Sequence, residues 1–167
     1  MKPNIEYNQV ETKFLLPFLE EMFAAGKQVR MTVTGISMLP MLRDRTDSVL
    51  LQRAEKIKKY DIILFVRTTG EAVMHRIVAC KPEGYTLLGD NQIDVEGPIK
   101  EEQVMAKVVG FYHGDYYISC KTWWYQIYSV LWGSAKKSRK WLFPLTVRVA
   151  RVIKRLKRME KEHEMDS

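Results

Sequence analysis

A serine, a histidine and a carboxylate can be assembled into a nucleophilic site, and this chain offers one of each in a suggestive setting. Ser37 lies in "TGISMLPMLRD", residues 34 to 44, between Gly35-Ile36 and the Met38-Leu39-Pro40 run. Glycine lets the backbone bend or approach closely and proline stops a regular element, so the chain can present the hydroxyl at a bend. A serine hydroxyl is a weak nucleophile until a base stands within hydrogen-bond reach. His75, in "EAVMHRIVA", supplies an imidazole whose reference pKa of about 6.5 suits that task near neutrality. A neutral imidazole also needs an acceptor on its second nitrogen, usually a carboxylate. "LLGDNQIDVE" offers Asp90 behind Gly89, with Asp94 and Glu96 shortly after. Each residue also has a plain reading: a strand-end serine, a satisfied strand histidine, and an Asx turn at Asp90-Asn91. Of the other histidines, His113 in "YHGDYY" reads as a turn residue and His163 as a solvated residue of the charged tail.

The elements that must position these residues are mostly short and β-like. From Val29 to Cys120 the chain reads "VRMTVTG", "SVLLQ", "DIILFVR", "EAVMHRIVA", "GYTLLGD", "VMAKVVGFY" and "DYYISC", broken by turn residues. No long helical pattern separates them, so an antiparallel or coiled β core fits better than βαβ units. "TTGE" reads as a hairpin turn that sets its two flanking runs, "DIILFVR" and "EAVMHRIVA", side by side with His75 in mid-strand. Ahead of the core, Val10, Phe14, Leu15, Phe18, Leu19, Met22 and Phe23 recur at helical spacing, Gly26 is placed to stop that helix, and Pro17 should kink it or mark its first turn.

The 167 residues suit one compact domain with an appendage: an N-terminal helix over 1–28, a β core over 29–120, and a Trp-rich, basic helical tail over 121–167. Hydrophobic residues make up 46% of the chain, and no run approaches the roughly 18 apolar residues of a membrane-spanning helix. The N-terminal stretch is polar and carries Glu6 and Glu11, so a secretory leader is not indicated. Cys80 and Cys120 sit in no metal-binding spacing and read as free thiols of a reducing compartment, with a disulfide between them left open. No metal and no cofactor is expected. The net charge of +7 is uneven, because ten Lys or Arg residues and no acid fall between Lys136 and Met159, leaving the rest of the chain net acidic. In that segment Leu145, Val149, Val152, Ile153, Leu156 and Met159 recur at three- and four-residue intervals among the cations, and Trp123, Trp124, Trp132 and Trp141 precede or open it. An interfacial membrane helix and a helix packed on the core are both consistent with this pattern; a basic stripe alone does not separate lipid head groups from nucleic acid, which is not the expected partner.

Taken in order, three boxes resemble the S24/S26 peptidases, and within them the type I signal peptidases. "GISMLP" resembles the Gly-x-Ser-Met-x-Pro nucleophile box, "YDIILFVRTTGEAVMHRIVA" the strand pair leading into the base, and "LLGDNQ" the Gly-Asp-Asn box. Together they span about residues 29 to 112. His75-Arg76, where many relatives carry Lys, is similar to the Ser-His branch of endoplasmic-reticulum-type signal peptidases.

The resemblance implies a mainly β fold, a coiled, barrel-like sheet of the signal-peptidase and LexA kind with an N-terminal helix and C-terminal amphipathic helices. It implies a serine endopeptidase in which Ser37 is the nucleophile, His75 the general base and then acid, and Asp90 the carboxylate on the imidazole. Gly35, Ile36 and Met38 would shape the oxyanion and substrate-binding region, and the substrate would be a peptide or protein with small residues before the scissile bond. Three departures accompany it. Many signal peptidases have a hydroxyl donor at the position of Gly35, which leaves the Ser37 N–H, helped by Thr34. A second family Asp falls about six residues after the Gly-Asp pair, where this chain has Glu96. A membrane anchor at the N-terminus is not expected, which favours a cytoplasmic location or peripheral contact with the inner membrane face through residues 123–159. Two other functions stay open: a self-cleaving regulator cutting at Ala25-Gly26, and a non-catalytic peptide-binding descendant.

Overall fold

The computed structural model describes residues 12–135, without the side chains of Thr12 and Lys13; the basic segment expected over 136–159 lies outside the described residues. The first helix, α1, runs Thr12–Ala24 and buries Leu19 and Phe23, with Leu15 and Met22 partly covered beside them. Gly26, at φ +70°, ends it, with the Gly26 N–H donating to Phe23 O at 3.0 Å and the Lys27 N–H to Met22 O at 3.0 Å. These two bonds form a Schellman cap, which needs a residue tolerant of the left-handed region at that place. Pro17 falls inside the helix rather than at its first turn.

Among the described residues eight strands follow: β1 Val29–Thr32, β2 Asp47–Arg53, β3 Ile62–Val66, β4 Ala72–Lys81, β5 Gly84–Leu88, β6 Glu96–Ile99, β7 Val104–His113 and β8 Tyr116–Ser119. They form one antiparallel sheet in the order β1-β2-β7-β3-β4-β5-β6, with β8 also paired to β7. The protein is thus mainly β, and the sheet is open: β1 and β6 are its ends and do not meet. The "TTGE" hairpin forms as expected, with the Arg67 N–H donating to Glu71 O at 2.9 Å and the Gly70 N–H to Arg67 O at 2.8 Å. One strand, β6, was not legible in advance, because "EGPI" lacks alternation and contains both Gly and Pro. An end strand tolerates this, since one side of its backbone needs no ladder partner.

Side chains of successive strand residues alternate between faces, and the two faces support separate cores. Ile62 and Leu64 join Leu19, Phe23, Val49, Leu51 and Phe111 in the larger core, whereas Ile63, Phe65, Ile77, Leu87 and Ile99 make the smaller one. The second helix, α2 (Trp123–Ser134), buries Tyr125 in the larger core, its ring 5.3 Å from that of Phe111.

A fully buried ion pair joins these parts. Arg76 on β4 donates through Nε to Asp90 Oδ1 at 2.8 Å and through Nη2 to Asp90 Oδ2 at 2.6 Å, and neither side chain is exposed. Its Nη1 donates to Tyr60 O at 3.0 Å and reaches Tyr125 Oη at 3.4 Å, while Trp132 Nε1 donates to Asp90 O at 3.0 Å. Burial works against the Arg76 charge, but the Asp90 carboxylate outweighs it and raises the guanidinium pKa above its ordinary value. Removing one partner of such a pair strands the other charge, which costs about 3–5 kcal/mol, whereas replacing both with apolar groups is often neutral. Asp90→Ala is therefore expected to lose about 3–5 kcal/mol in urea denaturation. The double variant Arg76→Met/Asp90→Leu should recover most of that loss, and a double variant as unstable as the single one would refute the assignment.

Candidate active site

Ser37 sits in the loop between β1 and β2. Gly35 adopts φ +88°, a backbone conformation that side-chain-bearing residues avoid, and its N–H donates to Asp44 Oδ1 at 2.8 Å. The glycine is thus required by the turn, and its N–H is already engaged, so this N–H is not an open oxyanion donor. Downstream, Met38 and Leu42 plunge into the larger core and a turn closes between them, the Leu42 N–H donating to Met38 O at 3.0 Å. Anchored on that side, Ser37 is left half-buried, and Ile36 points to solvent with 62% of its surface exposed. Of the expected Gly35, Ile36 and Met38 set, Met38 is a core anchor rather than a surface that a substrate could line.

The other side of the loop is fixed by the Gly-Asp-Asn box. The Asn91 N–H donates to Ser37 O at 2.7 Å. A Cβ on Gly89 would stand 2.8 Å from the same carbonyl oxygen and 2.6 Å from Gln92 Oε1, so a glycine is needed for the two segments to approach this closely. The structure therefore brings "GISMLP" and "LLGDNQ" together through backbone, while the next residue, Asp90, binds Arg76.

His75 is buried on β4, opposite Ile63 in the register and 6.0 Å between ring centres from Phe65. Among the described residues its Nδ1 has no hydrogen-bond partner, and Glu96 Oε2 stands 3.5 Å away, beyond ordinary hydrogen-bond length but close enough for electrostatic influence. Glu96 opens β6 across from Leu87, in the register that carries the smaller core. It is clamped by Arg67, with Nε to Oε1 at 2.5 Å and Nη2 to Oε2 at 2.7 Å, and Arg67 also binds Glu71 Oε2 through Nη1 at 2.7 Å. These bonds hold the Glu96 carboxyl below the usual carboxylate range, so it is ionised at neutral pH. Burial lowers the His75 pKa from 6.5, with the Glu96 charge acting in the opposite direction. A neutral imidazole facing an ionised carboxylate is an arrangement able to accept a proton on its other nitrogen.

The expected contact between Asp90 and the imidazole is replaced by a different one. Both Asp90 oxygens go to Arg76, whose planar fork matches a carboxylate, and Glu96 is the acid at His75. Asp94 is exposed. His113, read as a turn residue, instead ends β7 with Nδ1 2.9 Å from Oδ2 of the buried Asp47. Arg67 is the residue of the constellation that sequence reasoning missed; it stands at the mouth of the β3–β4 hairpin, and its tie to Glu96 depends on an end strand that could not be foreseen. Among the described residues no cluster of His, Cys, Asp and Glu could hold a metal.

Residues 2–110 match the family described as Peptidase S24-like, a span that includes Ser37, His75, Asp90 and Glu96. The chain belongs to the Peptidase S24-like family. This family includes serine peptidases and, more broadly, LexA-like self-cleaving proteins. No curated protein and no solved structure gives a match.

In this Peptidase S24-like chain the backbone contact at Gly89 is open to direct test. Gly89→Ala should cost on the order of 1–3 kcal/mol, because the Ser37 carbonyl must give way to the added methyl. Amide exchange at Asn91 should accelerate in the same variant as its bond to Ser37 O opens. Unchanged exchange at Asn91 would show that the two boxes are not held together this way.

Proposed function

We propose that the protein is a serine endopeptidase that cleaves leader- or signal-type peptides with small residues before the scissile bond. In this mechanism His75 Nε2 takes the Ser37 Oγ proton as the hydroxyl attacks the substrate carbonyl. The imidazolium then returns the proton to the leaving amine, giving an acyl-enzyme. Water, deprotonated by the same nitrogen, attacks the ester and restores Ser37. Glu96, clamped by Arg67, orients the imidazole through Nδ1 and offsets the positive charge that forms on it. With the Gly35 N–H bound to Asp44, the oxyanion would fall to the backbone N–H groups of Ser37 and Met38.

The observation that carries this reading is the buried His75 whose Nδ1 faces an ionised, arginine-clamped carboxylate. A substrate that closes the site would shorten the 3.5 Å gap, as catalytic contacts often tighten on complex formation. The self-cleaving alternative gains nothing from its candidate bond, since Ala25-Gly26 lies within the hydrogen-bonded cap of α1 rather than in an extended segment.

With a leader peptide ending in Ala-x-Ala, Ser37→Ala should lower kcat/KM by about 10³-fold or more, and equal cleavage by wild type and variant would sink the proposal. Because catalysis needs neutral His75, and burial favours that form, activity should persist as pH falls and its acid limb should lie below pH 6.5. Glu96→Gln removes the charge that raises the His75 pKa, so the limb should move to still lower pH while the plateau kcat falls by about 10²–10⁴-fold. A limb that stays in place in a folded Glu96→Gln protein would remove Glu96 from the mechanism.

A further inference from the structure

Helix α2 presents two unlike faces. Tyr125, Ser129 and Gly133 are buried, whereas Trp123, Ile127, Val130 and Leu131 are 73, 51, 45 and 66% exposed. Their spacing places these four on one side of the helix, and no charged residue occurs between Trp123 and Ser134. A helix face turned to water normally carries polar groups, so an outward face of this composition is suited to docking. Two residues after the helix the sequence turns cationic with Lys136, Lys137, Arg139 and Lys140, and it meets no acid before Glu160.

The adjacency of these two features selects the partner. Nucleic acid would use the cations but leave the apolar face in water. A protein groove would take the apolar face but has no need of ten unopposed cations. A bilayer rich in anionic lipid satisfies both, with Trp at the head-group level, aliphatic side chains at the acyl boundary, and Lys and Arg against the phosphates. We propose that the outward face of α2 and the basic stretch that follows it bind the surface of an anionic lipid membrane. Among the described residues no helix is long and apolar enough to cross a membrane, so α2 would lie along the surface. This inference is independent of the peptidase reading, since binding is scored without turnover and Ser37→Ala should bind as the wild type does.

The test uses the full chain in sedimentation with vesicles of phosphatidylcholine alone or mixed with phosphatidylglycerol. Binding should appear with the anionic vesicles, weaken as salt rises, and shift the tryptophan emission to the blue. Ile127→Asp/Leu131→Asp changes two exposed positions and should keep the fold, which circular dichroism checks, while weakening vesicle binding at least about tenfold. Replacing Lys136, Lys137, Arg139 and Lys140 with Gln should weaken it and flatten the salt dependence. Absence of binding to anionic vesicles, or equal binding by the folded Asp double variant, would overturn the proposal. So would a self-association by light scattering that the double variant abolishes, because the face would then belong to a second copy. Retention on duplex DNA without retention on vesicles would assign the cations to nucleic acid and overturn it as well.

Discussion

The buried pair between Arg76 and Asp90 is the constraint from which the rest of the site follows. Two charges withdrawn from water are tolerated only when each is fully engaged, and here the carboxylate takes both prongs of the guanidinium while the third nitrogen meets Tyr60 O and Tyr125 Oη. These demands fix the position of β4, of the turn after β5 and of α2 in a single arrangement. Asn91, next to Asp90, then holds the Ser37 carbonyl, and His75, next to Arg76, is set on the opposite face of β4. The residues that look like chemistry in the sequence are thus placed by neighbours whose role is mechanical.

The same alternation separates two carboxylates into two tasks. Asp90 lies at the end of β5 beyond Leu88, the register partner of Arg76. Glu96 lies across from Leu87, on the face that carries Ile77, Ile63 and His75. Each acid has its own arginine, yet the settings differ: the Arg76–Asp90 side chains are wholly buried, while those of Arg67 and Glu96 keep 32 and 25% of their surface. The buried pair favours rigidity, and the partly wet one leaves an ionised carboxylate able to respond to a change of charge on the imidazole.

Much of the scaffold was legible because local rules and tertiary packing agree. The Gly26 stop, the "TTGE" hairpin and the strand carrying His75 follow from turn chemistry and alternation that the fold does not contradict. Where reading failed, a tertiary contact supplied what the local pattern lacked. "EGPI" becomes β6 because Tyr85 and Leu87 offer a ladder on one side. His113 is drawn into the strand by the buried Asp47 that its side chain meets. Arg67 pairs locally with Glu71 and reaches the histidine's surroundings only when β6 delivers Glu96.

The sequence alone determined a mainly β chain, a serine on a glycine-bent loop, a histidine in mid-strand, and a Gly-Asp-Asn turn whose glycine allows close approach. These are short-range properties, set by residue type and spacing within a few positions. The pairing of acids with bases was decided only by the tertiary structure. Asp90 and Glu96 stand six positions apart in one acidic stretch of sequence, and nothing local says which faces the imidazole. That choice depends on strand register and face, which are fixed by distant partners: β5 against β4, and β6 against β5. A shift of one residue would turn each side chain to the other face, so the carboxylate at His75 is a property of the assembled sheet.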